Sequence, residues 1–217
     1  MNATTAAPLK HVGIANLTVM HSSATYMEPY ETSSGGDWSI HRGGAVFVQG
    51  AVDFSIEGIH FDQIDGNGVF FSRFVRNSTV ARSSFTAIGD SAILVVGASA
   101  RHRTNQATSF EYPAFNLIEE NHVDTNGVWV KQSAAYFKSV TRGNIVRNNV
   151  FHDGPRSGIN CECNKARSFV LVCPDRALLR ADNDGAMGGE VMEGNMLFNY
   201  VKESNDHGPF NSWDRQP

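Results

Sequence analysis

The chain has 217 residues, 20 of them glycine, with 41% apolar residues and a formal charge of −4. That length suits one sizeable domain with its own core, and the mild acidity, without any basic run, excludes a protein that works by neutralising nucleic-acid phosphates. No apolar stretch is long enough to span a bilayer, and residues 1–8 lack the basic and apolar regions of a secretory leader.

A repeat-like segment at 11–19 opens the chain, and the last residues follow a dense polar motif. Solenoids need capping at their ends, so both ends read as cut from something longer. From residue 46 onward, six short segments each place two apolar or small residues two apart: Val46/Val48, Val69/Phe71, Ile93/Val95, Val128/Val130, Ile159/Cys161 and Phe210/Ser212. Alternate strand residues face the same way, so each pair predicts one inward-facing rung. Glycine-containing turns precede most of them. A second set of short runs, at 56–61, 80–85, 118–123, 145–151 and 191–197, ends each time in a large apolar residue. Asn121, Asn149 and Asn195 stand two places before that residue, where stacked amides would hydrogen-bond along a corner. Phe61 and Phe85 are 24 residues apart, as are Val69 and Ile93. A steady offset with loops between strands is the signature of a solenoid.

Three loops lengthen the offset, at 101–114, 132–142 and 163–189. Within the last, residues 163–182 do not fit the repeat, and excising them would restore an ordinary strand and turn. The expected organisation is one domain over 1–217 with an irregular insertion at about 163–182, read either as a functional loop or as matter foreign to the repeat. Cys161, Cys163 and Cys173 are odd in number and have no nearby histidine. They predict neither a disulfide framework nor a zinc site. Asn16 and Asn77 open glycosylation sequons, the first on a predicted strand and the second in a turn.

Over roughly residues 11–217 this pattern resembles the right-handed parallel β-helix of the pectate-lyase-like superfamily. The fold class it implies is all-β. If the six pairs face inward, their neighbours form two outward columns. One runs Phe47, Phe70, Leu94, Trp129, Asn160, Asn211; the other runs Gln49, Ser72, Val96, Lys131, Glu162, Trp213. Aromatic faces among amides and charges suit a sugar chain, which predicts a groove at the C-terminal end of this face. Asp90, Asn126, Arg156 and Asp206-His207 precede their strands in equivalent turns, which predicts an ion pair between Arg156 and Asp206.

The run His152-Asp153-Gly154-Pro155-Arg156-Ser157-Gly158-Ile159 and the later run from Glu203 to Arg215 are similar to a paired signature of β-helical glycosidases and pectate-lyase-like proteins. The resemblance implies that Arg156, Asp206, Asp214 and their neighbours, among them His152, Asp153 and Arg215, line an active site. It leaves the reaction open. Hydrolysis of a glycosidic bond needs two carboxyl groups about 5–10 Å apart. Asp206 with Asp214, or Asp214 with Glu162, would provide them, with His207 or His152 relaying protons. Arg156 either anchors a uronate carboxylate or braces Asp206. A lyase would instead remove the proton next to a uronate carboxyl and stabilise the resulting charge with Lys131, His207, Arg156, Arg215 or Ca²⁺. No other cofactor is expected. A third reading is a non-catalytic carbohydrate-binding or surface solenoid. All three predict a polysaccharide or oligosaccharide partner and a place outside the cell or on its surface.

Overall fold

The computed structural model describes residues 4–34, 38–97, 111–162 and 189–212. All regular structure among them is β, most of it laid down in three columns of parallel strands. The first column pairs Val46–Glu57 (β5), Val69–Arg76 (β7), Ile93–Val96 (β10), Ala134–Ser139 (β13), Ser157–Glu162 (β16) and Phe210–Ser212 (β19), in that order. The second runs from Leu9–Ala15 (β1) through the distal half of β5 to Thr79–Ala81 (β8), Leu117–Glu119 (β11), Ile145–Arg147 (β14) and Val191–Glu193 (β17). The third contains Thr18–Ser22 (β2), His60–Ile64 (β6), Ser84–Ile88 (β9), His122–Asn126 (β12), Val150–His152 (β15) and Met196–Phe198 (β18). Because β5 passes through the bend between the first two columns, these form one curled sheet of eleven strands beside a sheet of six. Glu31–Ser34 (β3) and Trp38–Ile40 (β4) pair antiparallel, outside both sheets.

The expected rungs hold at five of six places. Val46, Val69, Ile93, Ile159 and Phe210 share one register line, but the fourth repeat contributes Tyr136/Lys138, not Val128/Val130. The reason is a local insertion. Asn126 is paired 38 positions after Ile88, whereas Tyr136 is paired 43 after Ile93. Five extra residues therefore bulge out between β12 and β13 and carry Val128, Trp129 and Lys131 off the sheet. The outward columns change accordingly: Phe137 replaces Trp129, and Ser139 replaces Lys131.

Inside, one residue from each column meets the others on every level. Phe61 stacks on Phe85 at 4.6 Å and 7°, and Val80, Ile93, Ile118, Val123, Val146 and Phe151 are completely buried around them. Each such side chain removed from water contributes about 1.5–3 kcal/mol. The bend from the second to the third column is made in each repeat by one residue in the left-handed region. These are Asn16 (φ 56°), Gly58 (φ 62°), Arg82 (φ 49°), Glu120 (φ 55°), Asn148 (φ 55°) and Gly194 (φ 63°). Asn16 thus sits at a corner, off the strand where its sequon was expected.

The residue after each of the last three corners carries the amide stack that the sequence predicts. Asn121 Nδ2 donates to Asn149 Oδ1 (3.1 Å), and Asn149 Nδ2 donates to Asn195 Oδ1 (2.8 Å). The same oxygens accept from the backbone N–H groups of Asn121 (2.9 Å) and Asn149 (3.1 Å). A second ladder holds the bend between the first two columns: Ser78 N donates to Asn116 Oδ1 (3.0 Å), and Asn116 Nδ2 donates to Asn144 Oδ1 (2.9 Å). Glu190 closes it, accepting from Asn144 Nδ2 at 3.0 Å and Thr141 Oγ1 at 2.7 Å. Burial pushes the Glu190 carboxyl above its ordinary value.

Candidate functional site

The five-residue bulge decides where a ligand could sit. A second bulge lies directly along the stack, because Phe151 pairs with Leu197 at an offset of 46 but Ile159 pairs with Phe210 at 51. The chain at 201–203 is zipped onto the preceding repeat by Val201 N donating to the Arg156 carbonyl and Glu203 N to the Pro155 carbonyl, both 3.0 Å. Between the two bulges lies a cleft of about 230 Å³ lined by Asn126, Lys131, Asp153, Pro155, Lys202 and Glu203, among others. Lys131 Nζ donates to Glu203 Oε1 at 2.9 Å, and Lys202 pairs with Asp153. Hydrogen bonds from Lys202 and then His152 hold the Asp153 carboxyl below the usual range.

Close packing explains the glycines of the 152–159 run. A Cβ on Gly154 would stand 2.1 Å from Tyr200 Cε1, and one on Gly158 would stand 2.4 Å from Leu197 Cδ2 and 2.7 Å from Tyr200 Cε2. Tyr200 fills that space and donates its hydroxyl to Asn126 Oδ1 at 3.2 Å. Its own phenol is pushed up by burial.

Beside the cleft, Arg156, His207 and Asp206 come together from adjacent repeats. Arg156 Nη2 is 3.8 Å from Asp206 Oδ2, the ion pair expected from sequence, and it lies nearer to His207, at 2.9 Å from Nδ1 and 3.3 Å from Nε2. Asp206 Oδ2 is 3.1 Å from His207 Nδ1, and Asp206 Oδ1 accepts from the His207 N–H at 2.9 Å. With the carboxylate accepting from Nδ1, Nε2 is the ring nitrogen left to accept from Arg156. The Asp206 side chain is 78% exposed, whereas Arg156 is almost covered. The covered Arg156 guanidinium therefore faces His207 and, more distantly, Asp206.

Trp129 stands on the other side of the bulge, 55% exposed, with Nε1 donating to Asp65 Oδ1 at 3.1 Å and its ring 6.5 Å from that of Tyr26. A Cβ at Gly89 would meet the indole at 2.7 Å, so glycine there lets the ring lie down. Tyr26 and Lys202 are additions to the residues singled out from sequence, and Glu203, the first residue of the second signature run, joins them at the cleft. Nothing in the local pattern marks Tyr26 or Lys202: the second bulge brings in Lys202, and Tyr26 comes from the connection between β2 and β3 to meet Trp129.

The flat outward groove expected on the first column is not open through its middle. Phe70, Leu94 and Phe137 are fully buried with Ile40 in an apolar cluster of their own, and the Arg42 guanidinium lies 5.5 Å over the Phe70 ring. Asn160 is buried as well and accepts from Asn211 Nδ2 at 2.6 Å. Trp129 and Lys131 thus belong to the edge between the third and first columns, not to this face. Glu162 pairs through its backbone with Ser139. Trp213, Asp214 and Arg215, and the suspected insertion at 163–182, lie outside the described residues.

Comparison with protein families, curated proteins and solved structures finds no match. The site is therefore read from its geometry.

Proposed function

We propose that the chain is a right-handed parallel β-helix of the pectate-lyase-like kind that binds a polysaccharide along the edge carrying its bulges and hydrolyses it near Asp206. The supporting observation is the order of groups along that edge. The exposed Tyr26 and Trp129 rings come first, then the cleft with Lys131, Asp153, Lys202 and Glu203, then Asp206 held by Arg156 and His207. Aromatic rings offer faces for the CH groups of sugars, and the paired charges offer donors and acceptors to hydroxyls.

Asp206 is the reacting carboxylate in this reading. Arg156 and His207 fix its orientation, as catalysis by position requires. Its partner in this reading is Asp214. A covered Arg156 is poorly placed to seize a uronate carboxylate, which favours hydrolysis over β-elimination. A second reading, a binding module without turnover, draws support from the lysines that pair with both Asp153 and Glu203. Either role places the protein among extracellular or cell-surface saccharides.

The test is incubation with neutral and uronate-containing polysaccharides, reading new reducing ends and the absorbance of unsaturated products. Reducing ends without unsaturation are expected, and Asp206→Asn should lower the rate at least about 100-fold. Unsaturated products would replace hydrolysis by a lyase. Retention on a polysaccharide gel without product would leave binding alone. Full turnover in Asp206→Asn would remove Asp206 from the chemistry.

A further inference from the structure

The outer face of the six-stranded sheet carries a histidine cluster that meets the cleft at Asp153. His122 and Asp124 alternate along β12 and so point the same way, and His152 on β15 is in register with Asp124. Asp124, His152 and Asp153 present ligand-type atoms within 4.8 Å of one another. His122 Nε2 lies 2.9 Å from His152 Nε2. We propose that His122 and His152 bind one divalent transition-metal ion of the zinc type through these two nitrogens, with Asp153 as the carboxylate that orients His152.

The chemistry of each contact points the same way. Asp153 Oδ2 is 2.6 Å from His152 Nδ1. A carboxylate accepts, so Nδ1 carries the proton and the lone pair of the neutral ring lies on Nε2, facing His122. Lys202 occupies the other oxygen of Asp153, leaving Oδ2 to the imidazole. Asp124 Oδ1 stands 3.7 Å from the same Nδ1. Phe198 stacks on the His152 ring at 4.7 Å and 11°, which fixes the ring plane. A carboxylate behind an imidazole whose far nitrogen presents its lone pair outward is the usual support of a metal-binding histidine.

The spacing also suits an ion. Two nitrogens bound at about 2.0–2.1 Å to a tetrahedral centre lie roughly 3.3 Å apart. The rings need to open by only a few tenths of an ångström. Without an ion, His122 must donate its Nε2 proton to His152; with one, that proton moves to His122 Nδ1 and both lone pairs face the metal. His122 is exposed, so the remaining coordination positions are open to water. Imidazole selects zinc, copper or nickel over calcium or magnesium, so this site differs from the calcium site that a lyase would use. It stands independently of the saccharide reading, because the metal alone is the probe.

The experiment is titration of the full chain with Zn²⁺ by calorimetry, with Co²⁺ absorption as a second readout. One ion per chain is expected, with weak cobalt d–d bands and no thiolate charge-transfer band. His122→Gln and His152→Gln should each weaken binding at least tenfold, and Asp153→Asn roughly 10–100-fold. His122 lies on the surface, so its variant folds like the parent and far-ultraviolet circular dichroism verifies this. No saturable uptake, uptake unchanged in His122→Gln, or a thiolate band would each overturn the assignment.

Discussion

Asp90 is 1% exposed and takes a hydrogen bond from Tyr30 Oη at 3.3 Å and another from Ser91 Oγ at 3.4 Å. Burial pushes its carboxyl up to about 7, and burial followed by the nearby Asp90 charge pushes the Tyr30 phenol up to about 12. Between about pH 4 and pH 7 the folded chain keeps a proton on Asp90 that the unfolded chain has already released. Stability from this group is therefore complete below the unfolded value and is lost as pH rises towards 7. The swing is on the order of 4 kcal/mol. Asp90→Asn keeps the shape and an acceptor for Tyr30 but cannot ionise. Its urea midpoint should exceed that of the parent at pH 8 and approach it at pH 4.5; parallel pH profiles for the two proteins would refute a buried titrating Asp90. The sequence places Asp90 in a turn before its strand. What it does not show is that Tyr30, sixty residues earlier, closes over it.

At the scale of strands and corners, the amide ladder carries the most weight per residue. The Asn149 side chain makes four bonds while completely buried: to the Ile118 carbonyl (3.0 Å), to Asn195 (2.8 Å), and from the N and Nδ2 of Asn121 (2.9 and 3.1 Å). Asn149→Ala leaves several of these groups buried and unsatisfied, at about 1–3 kcal/mol each, so a loss of roughly 3–5 kcal/mol is expected in chemical denaturation. Asn149→Ser should recover part of it, because Ser83 Oγ accepts the Ile59 N–H at 3.1 Å at the same corner of an earlier repeat. A change below 1 kcal/mol in Asn149→Ala would show that the ladder does not hold the corner. This element is legible in sequence because the asparagine stands at a fixed distance from a core residue. Asn116 before Ile118 and Asn144 before Val146 carry the same signal, and it marks the second ladder just as well. The fourth rung is not legible in that way. Val128/Val130 alternates as convincingly as Tyr136/Lys138, and alternation fixes a face but not a register. Only the pairing of β12 on one side and β13 on the other reveals the five residues between them. For that reason the sequence pattern puts Trp129 and Lys131 on the wrong face, while it brings Arg156 and Asp206, close to correctly registered strands, together.

Across the whole chain, the register itself limits what the stack requires of its loops. Ser139 pairs with Glu162 and Ile145 with Val191, so one connection spans six positions, from Ser139 to Ile145, while the next spans 29, from Glu162 to Val191. The excess is 23 residues, the same as the offset from Tyr136 to Ile159. Loop length costs little free energy, about 0.6 kcal/mol per doubling, and stability in stacked repeats comes mainly from each repeat and its neighbours. The parallel pairs β14–β17 and β16–β19 should therefore form whether the connection is long or short. A chain lacking residues 165–187 restores the six-position link. It is expected to keep the β circular dichroism of the parent and a denaturation midpoint that falls by no more than the equivalent of about 1 kcal/mol. If the deleted chain instead loses the protection of amides in β16 and β17 in hydrogen exchange, those 23 residues hold the two repeats together and the stack is not built from neighbour contacts alone.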